Sequence, residues 1–183
     1  MGLSDLVYGV YERRLYAQIP VDRRPCHVGV ILDGNRRWAT EQGTSSSAGH
    51  RAGAAKIVEF LGWCDEAGVE VVTLWLLSTD NLNRPPAELE ALLGIIEDTV
   101  MGLVEQGRWR LHPVGALDLL PAHTTRLLKE AEEATSGIEG SLVNVAVGYG
   151  GRREVVDAVR ALLQDHATQG TSLDELAQLL EPE

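Results

Sequence analysis

Cysteine is scarce in this sequence, which has only Cys26 and Cys64 among its 183 residues. Two cysteines in a chain of this length do not make a disulfide framework, and neither stands at the spacing of a metal-ligand motif. Structural disulfides belong mainly to oxidising compartments. We therefore expect a reduced protein, and the cytoplasm is its expected location.

Long apolar runs are also missing. No stretch approaches the ~18 consecutive apolar residues that a membrane-spanning helix needs. The first residues lack the basic start and the unbroken apolar stretch of a secretory signal. No polybasic run is present that would hold the chain on an anionic membrane. We expect at most a peripheral membrane contact.

Positive charge is in deficit, with 16 Lys and Arg against 27 Asp and Glu and a net charge of −11. An acidic chain gains no counterion-release attraction to nucleic acid, so we expect no nucleic-acid partner. The 44% of hydrophobic and 23% of charged residues are typical of a globular protein rather than a disordered one. The length suits a single domain over residues 1–183.

Several common catalytic signatures are absent. The sequence contains neither the P-loop nor the dinucleotide-binding glycine pattern, and it has no G-x-S-x-G elbow. A generic nucleotide-binding domain and a serine hydrolase therefore have no support.

Apolar periodicity predicts strands alternating with helices. Short apolar runs without alternation predict strands buried on both faces, and Pro113 would place one further strand at an edge or a bulge. The predicted strands are 27–32, 69–77, 108–115 and 142–147. Helices are predicted at 3–17, 48–68, from Pro85 to about 103, at 122–134 and after Gly151, with a last short helix near Ser172 and Glu175. The pattern indicates an α/β fold with a mostly parallel central sheet flanked by helices.

Three packing expectations follow from the same pattern. The first helix should pack against the body of the domain. The helix after Gly151 should bury the face that carries Val155, Val156, Val159 and Leu162. Trp63 and Trp109 are interpreted as packing residues.

Ligands of open parallel sheets bind beyond the carboxyl ends of the strands. This rule selects three segments: 33–38, 78–84 and 148–153. In the first, an aspartate at a strand end precedes a glycine, a predicted helix start and two arginines. Helix starts and arginine forks both favour phosphate oxygens, and Mg²⁺ would explain an aspartate beside a diphosphate. A capping aspartate with surface arginines is an equally good explanation of this segment alone.

The other candidates are weaker when each is taken alone. The segment 78–84 is rich in hydrogen-bond donors, but a polar loop capping the next helix would look the same. The glycines of 148–151 could approach a phosphate or simply form a tight turn. His50 could donate to a phosphate from near a helix start, or it could be solvated.

Together these segments resemble one family, the cis-prenyltransferases or undecaprenyl diphosphate synthases. The resemblance rests on four motifs in register between about 27 and 164: HVGVILDGNRRWA, AGHRAGA, LSTDNLNRP and NVAVGYGGRREVVDAV. The N-terminal YERRL is similar to the short-chain actinobacterial members, the Z,E-farnesyl diphosphate synthases. The resemblance implies condensation of isopentenyl diphosphate with an allylic diphosphate such as geranyl diphosphate, an Mg²⁺ cofactor and a homodimer with an apolar tunnel.

The resemblance also implies roles for individual residues. Asp33 would hold Mg²⁺ and the diphosphates. The catalytic group would be Asp33, Asn35, Ser78 and Asn81, and substrate would be bound by Gly34, Arg36, Arg37, Trp38, His50, Leu76 and Arg84. Proton removal would use the diphosphate itself or the neighbourhood of Asn35 and Ser78.

The sequence departs from the long-chain members of the family at several positions. Ser46 stands where they carry an arginine, and its serine-rich surroundings favour a mobile loop. Leu82 replaces an aromatic residue. Leu76 adds bulk where long-chain enzymes have a small residue at the tunnel wall, and overpacking would stop a growing chain. We therefore expect a short product of about fifteen carbons.

The family pattern continues into a segment of the form R-x-S-G-E-x-R-x-S-N-F, which binds isopentenyl diphosphate. No such segment occurs in these 183 residues, so the domain is expected to lack it. Two alternatives stay open: a long-chain polyprenyl diphosphate synthase that makes a lipid carrier, and a non-catalytic partner subunit or truncated pseudoenzyme. Leu76 and Ser46 disfavour the first. The missing segment favours the second, whereas retention of Asp33, Asn35, Arg37 and His50 disfavours it.

Overall fold

A computed structural model describes residues 3–169 of the chain. The helices are α1 (Leu3–Gln18), α2 (Asn35–Glu41), α3 (Ser46–Ala54), α4 (Ile57–Ala67), α5 (Pro86–Gln106), α6 (Ala122–Thr135) and α7 (Gly151–Gln169). The strands are β1 (His27–Ile31), β2 (Val71–Ser78), β3 (Arg110–Val114) and β4 (Leu142–Tyr149). The short helix predicted near Ser172 lies outside the described residues.

The four strands form one parallel sheet in the order β1-β2-β4-β3. This confirms the predicted α/β class with helices flanking a parallel sheet. β3 is an edge strand, as Pro113 predicted, because proline cannot donate to a ladder on both sides. The strands run in one direction, so their carboxyl ends meet at one edge of the sheet, where the ligand-binding segments were expected.

The core lies against one face of the central strands. Val72 and Leu74 of β2 and Val143 and Val145 of β4 are fully buried there, together with Leu61, Leu103 and Leu128 from the helices. The alternate residues Thr73, Trp75 and Asn144 are only half-buried. The prediction that β2 is buried on both faces was therefore wrong for its first half, since the two faces of this strand differ in burial.

β1 departs further from the prediction of a strand buried on both faces. It is the second edge of the described sheet, and its burial alternates, with Ile31 64% exposed. Val28 and Val30 are half-buried and pack against the core. An apolar run alone cannot distinguish an edge strand from a central one.

The segment predicted as one helix from 48 to 68 is two helices, α3 and α4, joined at Ala55 and Lys56. Gly68 ends α4 in the left-handed conformation at φ 75°, as predicted. The serine-rich stretch before α3 is a helix start rather than a loop. The hydroxyl of Ser45 accepts a hydrogen bond from the Ala48 amide at 3.2 Å, and this N-cap fixes the first turn.

Two helices present apolar side chains to solvent, contrary to prediction. α1 exposes Val7, Tyr8, Val10, Tyr11, Leu15 and Tyr16, and α7 exposes Val155, Val156 and Val159. Periodicity shows which side chains could be covered, but it does not show what covers them. No helix in the described part of the chain is long and apolar enough to cross a membrane.

The two tryptophans predicted to pack have different environments. Trp109 is fully buried, and its ring N–H donates to the Asp65 carboxylate at 3.0 and 3.1 Å. Asp65 also accepts from Arg108 at 2.9 Å and from the Ser141 hydroxyl at 3.0 Å. This carboxylate joins the end of α4 to the starts of β3 and β4. Trp63 is 59% exposed, so its predicted packing role was wrong.

Candidate active site

A cavity of about 450 Å³ opens beyond the carboxyl ends of β1 and β2 and extends between α3 and α5. Most of the predicted site residues line it. These are Asp33, Gly34, Asn35, Arg36, Arg37, His50, Leu76, Ser78, Asn81 and Arg84. The rule that placed a site at the strand ends therefore selected two segments that do meet in space.

The third segment does not line this cavity. Gly150 instead packs against Thr79, where a Cβ would collide with the threonine hydroxyl. The Thr79 amide donates to the Tyr149 carbonyl at 3.0 Å. The turn thus supports the loop that follows β2. Trp38 is 45% exposed and is also outside the lining, so its predicted role in substrate binding has no support from the cavity.

Asp33 lies at the cavity mouth with an exposed side chain. Its Oδ1 accepts a hydrogen bond from the Gly34 amide at 2.6 Å. Gly34 has φ 85°, a left-handed conformation that suits glycine and directs the chain into α2. The Gly34 amide thus binds only one of the two carboxylate oxygens of Asp33.

Within residues 3–169 no three His, Cys, Asp or Glu side chains are grouped to hold a metal ion. The described side chains therefore do not enclose a metal ion by themselves. A single carboxylate does suit Mg²⁺, which commonly takes one or two carboxylates and completes its octahedron with water and substrate phosphate oxygens. Asp33 is the carboxylate of the cavity lining that could serve in this way.

Asn35 is held between two glycines of α3. A Cβ at Gly49 would collide with the Asn35 carbonyl, and a Cβ at Gly53 would collide with its side-chain Oδ1. The Asn35 amide donates to the Leu32 carbonyl at 3.0 Å. The A-G-H-R-A-G-A motif was noted in the sequence, but the role of its glycines was missed. Their spacing of four residues places them on one helix face, which was the available signal.

His50 lies beside Asn35, with 3.5 Å between its Nδ1 and the Asn35 Nδ2. Its Nε2 is buried without a hydrogen-bond partner. Burial lowers the pKa of His50, and the charges of Arg84 and Arg36 lower it further, against a smaller opposing effect of Glu88. A neutral ring whose Nδ1 faces an amide donor carries its proton on Nε2. His50 can therefore donate a hydrogen bond to a ligand in the cavity.

Arg84 is fixed before any ligand arrives. Its Nε and Nη2 donate to the Asn81 Oδ1 at 3.2 and 3.0 Å, and its Nη1 donates to Glu88 at 3.1 Å. The Asn81 amide donates in turn to the Ser78 hydroxyl at 3.3 Å. Glu88 was not predicted as part of this site. Glu88 stands in the first turn of α5, four residues after Arg84, and this short spacing was the signal that could have found it.

The cavity therefore has two chemically different ends. Its mouth brings together three arginines and a histidine around Asp33, in a chain whose net charge is −11. Its deeper walls are apolar and come from β2, α4 and α5: Ile57, Leu76, Leu92, Ile95 and Ile96. A ligand with an anionic head and an apolar tail fits this arrangement.

The family model described as undecaprenyl diphosphate synthase, a prenyltransferase family, matches residues 31–182. The chain belongs to this family. The match begins at the end of β1, so it includes all of the cavity-lining residues and confirms the resemblance inferred from the sequence motifs. The chain is thus a prenyltransferase.

Curated relatives of this prenyltransferase are similar over nearly its whole length. It is 62% identical over 174 residues to a (2Z,6E)-farnesyl diphosphate synthase of Thermobifida fusca, covering 94% of this chain and 68% of that protein. It is 47% identical over 180 residues to a short-chain Z-isoprenyl diphosphate synthase of Mycobacterium leprae, covering 96% of this chain and 69% of that protein. The chain thus spans about two thirds of their length.

A solved structure shows the same fold. The crystal structure of lavandulyl diphosphate synthase from Lavandula x intermedia, in complex with dimethylallyl diphosphate, superposes with a TM-score of 0.79 at 28% identity. The superposition covers 83% of this chain and 66% of that one.

Proposed function

We propose that this prenyltransferase condenses isopentenyl diphosphate with a short allylic diphosphate, such as geranyl diphosphate, to form a short cis-prenyl diphosphate. The observation that carries the proposal is the cavity with a basic mouth and an apolar depth. The names of the relatives from Thermobifida fusca and Mycobacterium leprae support a short product.

The mouth of the cavity would bind the diphosphate of the allylic substrate. Guanidinium groups come from Arg36, Arg37 and Arg84. Each can pair with phosphate oxygens through two parallel N–H···O hydrogen bonds. His50 would add a hydrogen bond from Nε2. Negative charge grows on the leaving diphosphate as the allylic C–O bond breaks, so these fixed donors stabilise the transition state more than the bound substrate.

In the condensation a carbon–carbon bond forms between the allylic carbon and the terminal alkene carbon of isopentenyl diphosphate. The C–O bond to the leaving diphosphate breaks, and isopentenyl diphosphate loses a proton, for which the released diphosphate is the proposed acceptor. Asn35, Ser78 and Asn81 are proposed to orient the reacting carbons. Alignment of the two reactants before reaction lowers the entropic cost of reaching the transition state. Mg²⁺ would be held by Asp33 together with substrate oxygens, and when bound it would neutralise diphosphate charge.

The apolar depth would hold the prenyl chain. Leu76 lines this part of the cavity beside Trp75 of β2. A bulky residue here leaves less room for a growing chain. We therefore propose a product of about fifteen carbons, and replacement of Leu76 by alanine should lengthen it.

A homodimer and a cytoplasmic location also belong to this proposal. A second copy of the chain would cover apolar side chains that α1 and α7 expose. Light scattering of the purified protein tests the dimer, since a monomer at micromolar concentration contradicts it.

The function is tested by incubating the purified protein with Mg²⁺, radiolabelled isopentenyl diphosphate and geranyl or farnesyl diphosphate, and by resolving the products by chain length. Asp33→Ala should abolish labelled product. Asp22→Ala is the matched control, because Asp22 is exposed and lies outside both the cavity lining and the segments at the strand ends. A product of fifty carbons or more would overturn the short-chain assignment. Absence of labelled product from the wild-type protein as well would favour a non-catalytic partner subunit.

A further inference from the structure

Thr79 is the residue of the loop after β2 that determines where the loop begins to turn. It is half-buried and does not line the cavity, whereas its neighbours Ser78 and Asn81 do. The Thr79 carbonyl accepts a hydrogen bond from the Leu82 amide at 3.1 Å, and Thr79 is the N-cap of the short 3-10 helix Asp80–Asn83. The position of Thr79 therefore sets the position of the helix that carries Asn81.

Two contacts join Thr79 to the turn after β4. Its amide donates to the Tyr149 carbonyl at 3.0 Å, and its side chain packs against Gly150. A Cβ at position 150 would lie 2.5 Å from the Thr79 Oγ1 and 3.3 Å from its Cγ2. Threonine is β-branched and has few alternative rotamers, so a side chain at position 150 would push the loop itself.

The turn after β4 is anchored on its other side, so it resists moving away from Thr79. The Glu154 amide donates to the Gly150 carbonyl at 3.0 Å, and the Tyr149 phenol hydrogen-bonds the Glu154 side chain. The Tyr149 ring also meets the Trp75 ring edge-on, with the ring centroids 5.4 Å apart. A collision between position 150 and Thr79 would therefore be relieved by the loop after β2 rather than by the turn.

We infer that Gly150 is a positioning residue for the diphosphate site, because its missing side chain lets Thr79 pack against the turn after β4 and so places the loop that carries Asn81 and Arg84. The Arg84 guanidinium donates to the Asn81 Oδ1 at 3.0 and 3.2 Å, and the Arg84 amide donates to the Asn81 carbonyl at 3.2 Å. A shift of the 3-10 helix is thus passed on to Arg84. The inference rests on the proposed function for the identity of the ligand, a diphosphate.

The test compares Gly150→Ala with Gly151→Ala, which is the matched control because a Cβ at Gly151 meets no atom within 4 Å. The probe is inorganic diphosphate with Mg²⁺, and isothermal titration calorimetry measures its Kd. Gly150→Ala should bind the probe about tenfold more weakly than wild type, which corresponds to the loss of roughly one charged hydrogen bond. Gly151→Ala should bind it like wild type. Urea unfolding of the same preparations shows that both variants are folded.

A second substitution separates positioning from a general loss of stability. Thr79→Ala removes both colliding atoms, and the Cβ of an alanine at position 150 would then lie 3.5 Å from the Cβ of residue 79, an ordinary contact. In a Thr79→Ala background, Gly150→Ala should therefore leave the Kd for diphosphate unchanged. If Gly150→Ala alone does not fold, Thr79→Ala should restore a folded protein, and failure to restore it would contradict the inference.

Hydrogen exchange distinguishes this inference from the proposed function. The Asn81 amide donates to the Ser78 hydroxyl at 3.3 Å and the Arg84 amide to the Asn81 carbonyl, so both amides should exchange faster in Gly150→Ala than in wild type. If the wild-type protein neither binds diphosphate nor makes product, the proposed function fails, while the exchange rates still test the loop. Wild-type exchange rates and affinity in a folded Gly150→Ala protein, or an equal loss in both backgrounds, would overturn the inference.

Discussion

Replacing Gly53 by alanine tests whether α3 positions Asn35. The added methyl would collide with the Asn35 Oδ1, so the Asn35 side chain must move. Its amide would then lose the hydrogen bond to the Leu32 carbonyl, and a partly buried polar group left unpaired costs about 1–3 kcal/mol. Alanine regains up to about 1 kcal/mol of helix propensity. We expect a net loss of about 0–3 kcal/mol in the free energy of unfolding.

The effect on turnover should exceed the effect on stability. A displacement of about 1 Å in a positioning group can cost about a hundredfold in rate. We therefore expect kcat/KM to fall by one to two orders of magnitude, while the protein stays folded. Urea unfolding and steady-state kinetics on the same preparation measure the two quantities.

Gly62→Ala is the control for this prediction, since Gly62 lies within α4 and a Cβ there meets no atom within 4 Å. It should gain up to about 1 kcal/mol and keep its activity. In an Asn35→Ala background, Gly53→Ala should also become stabilising, because the colliding oxygen is gone. If Gly53→Ala behaves like Gly62→Ala in both assays, α3 does not position Asn35.

Three further perturbations have defined outcomes. Asp65→Ala should lose about 2–4 kcal/mol in the free energy of unfolding, because the buried Trp109 ring N–H loses its acceptor. Glu66 is exposed, so Glu66→Ala should change the free energy of unfolding little. Equal effects of the two substitutions in urea unfolding would show that the Asp65 carboxylate does not hold these elements together. The pKa of His50 is lowered, so the unfolded chain takes up its proton more readily, and the stability from this residue is present above pH ~6.5 and lost as pH falls below it. His50→Gln should therefore flatten the loss of thermal stability between neutral and acidic pH, and an unchanged pH profile would contradict the assignment. Arg84→Lys should raise KM for the allylic diphosphate about tenfold or more, since an ammonium group cannot reproduce the guanidinium fork; a KM like that of wild type would remove Arg84 from the diphosphate site.

The sequence was sufficient to predict the fold class and the location of the site. Alternation of apolar strands and amphipathic helices implied a parallel sheet, and the strand-end rule then selected the segments after Leu32 and Leu77. The rule also selected the turn after Val147, which does not line the cavity but supports the loop after β2. The rule identifies an edge of the sheet, but it does not tell which loops at that edge face the same cavity.

Other features depend on contacts that one sequence does not reveal. The apolar faces of α1 and α7 predicted burial, but both faces are exposed. The prediction failed because apolar periodicity carries no information about what covers a helix face. The apolar stripe of α5 suits a packed core by its spacing, yet Leu92 and Ile96 also line the cavity. Apolar side chains suit a packed core and a prenyl-binding wall equally well, so only the fold separates the two roles.

The ion pair between Arg84 and Glu88 has a consequence for ligand selection. Glu88 already neutralises part of the Arg84 charge at 3.1 Å, so a weakly charged anion gains little by approaching. A ligand must compete with the Glu88 carboxylate, which lies in the first turn of α5 just after Arg84 and is therefore always present. A diphosphate, with more charge and several oxygens, competes better for Arg84 than a monophosphate or a chloride ion does. The carboxylate thus favours ligands of higher charge at the mouth of the cavity.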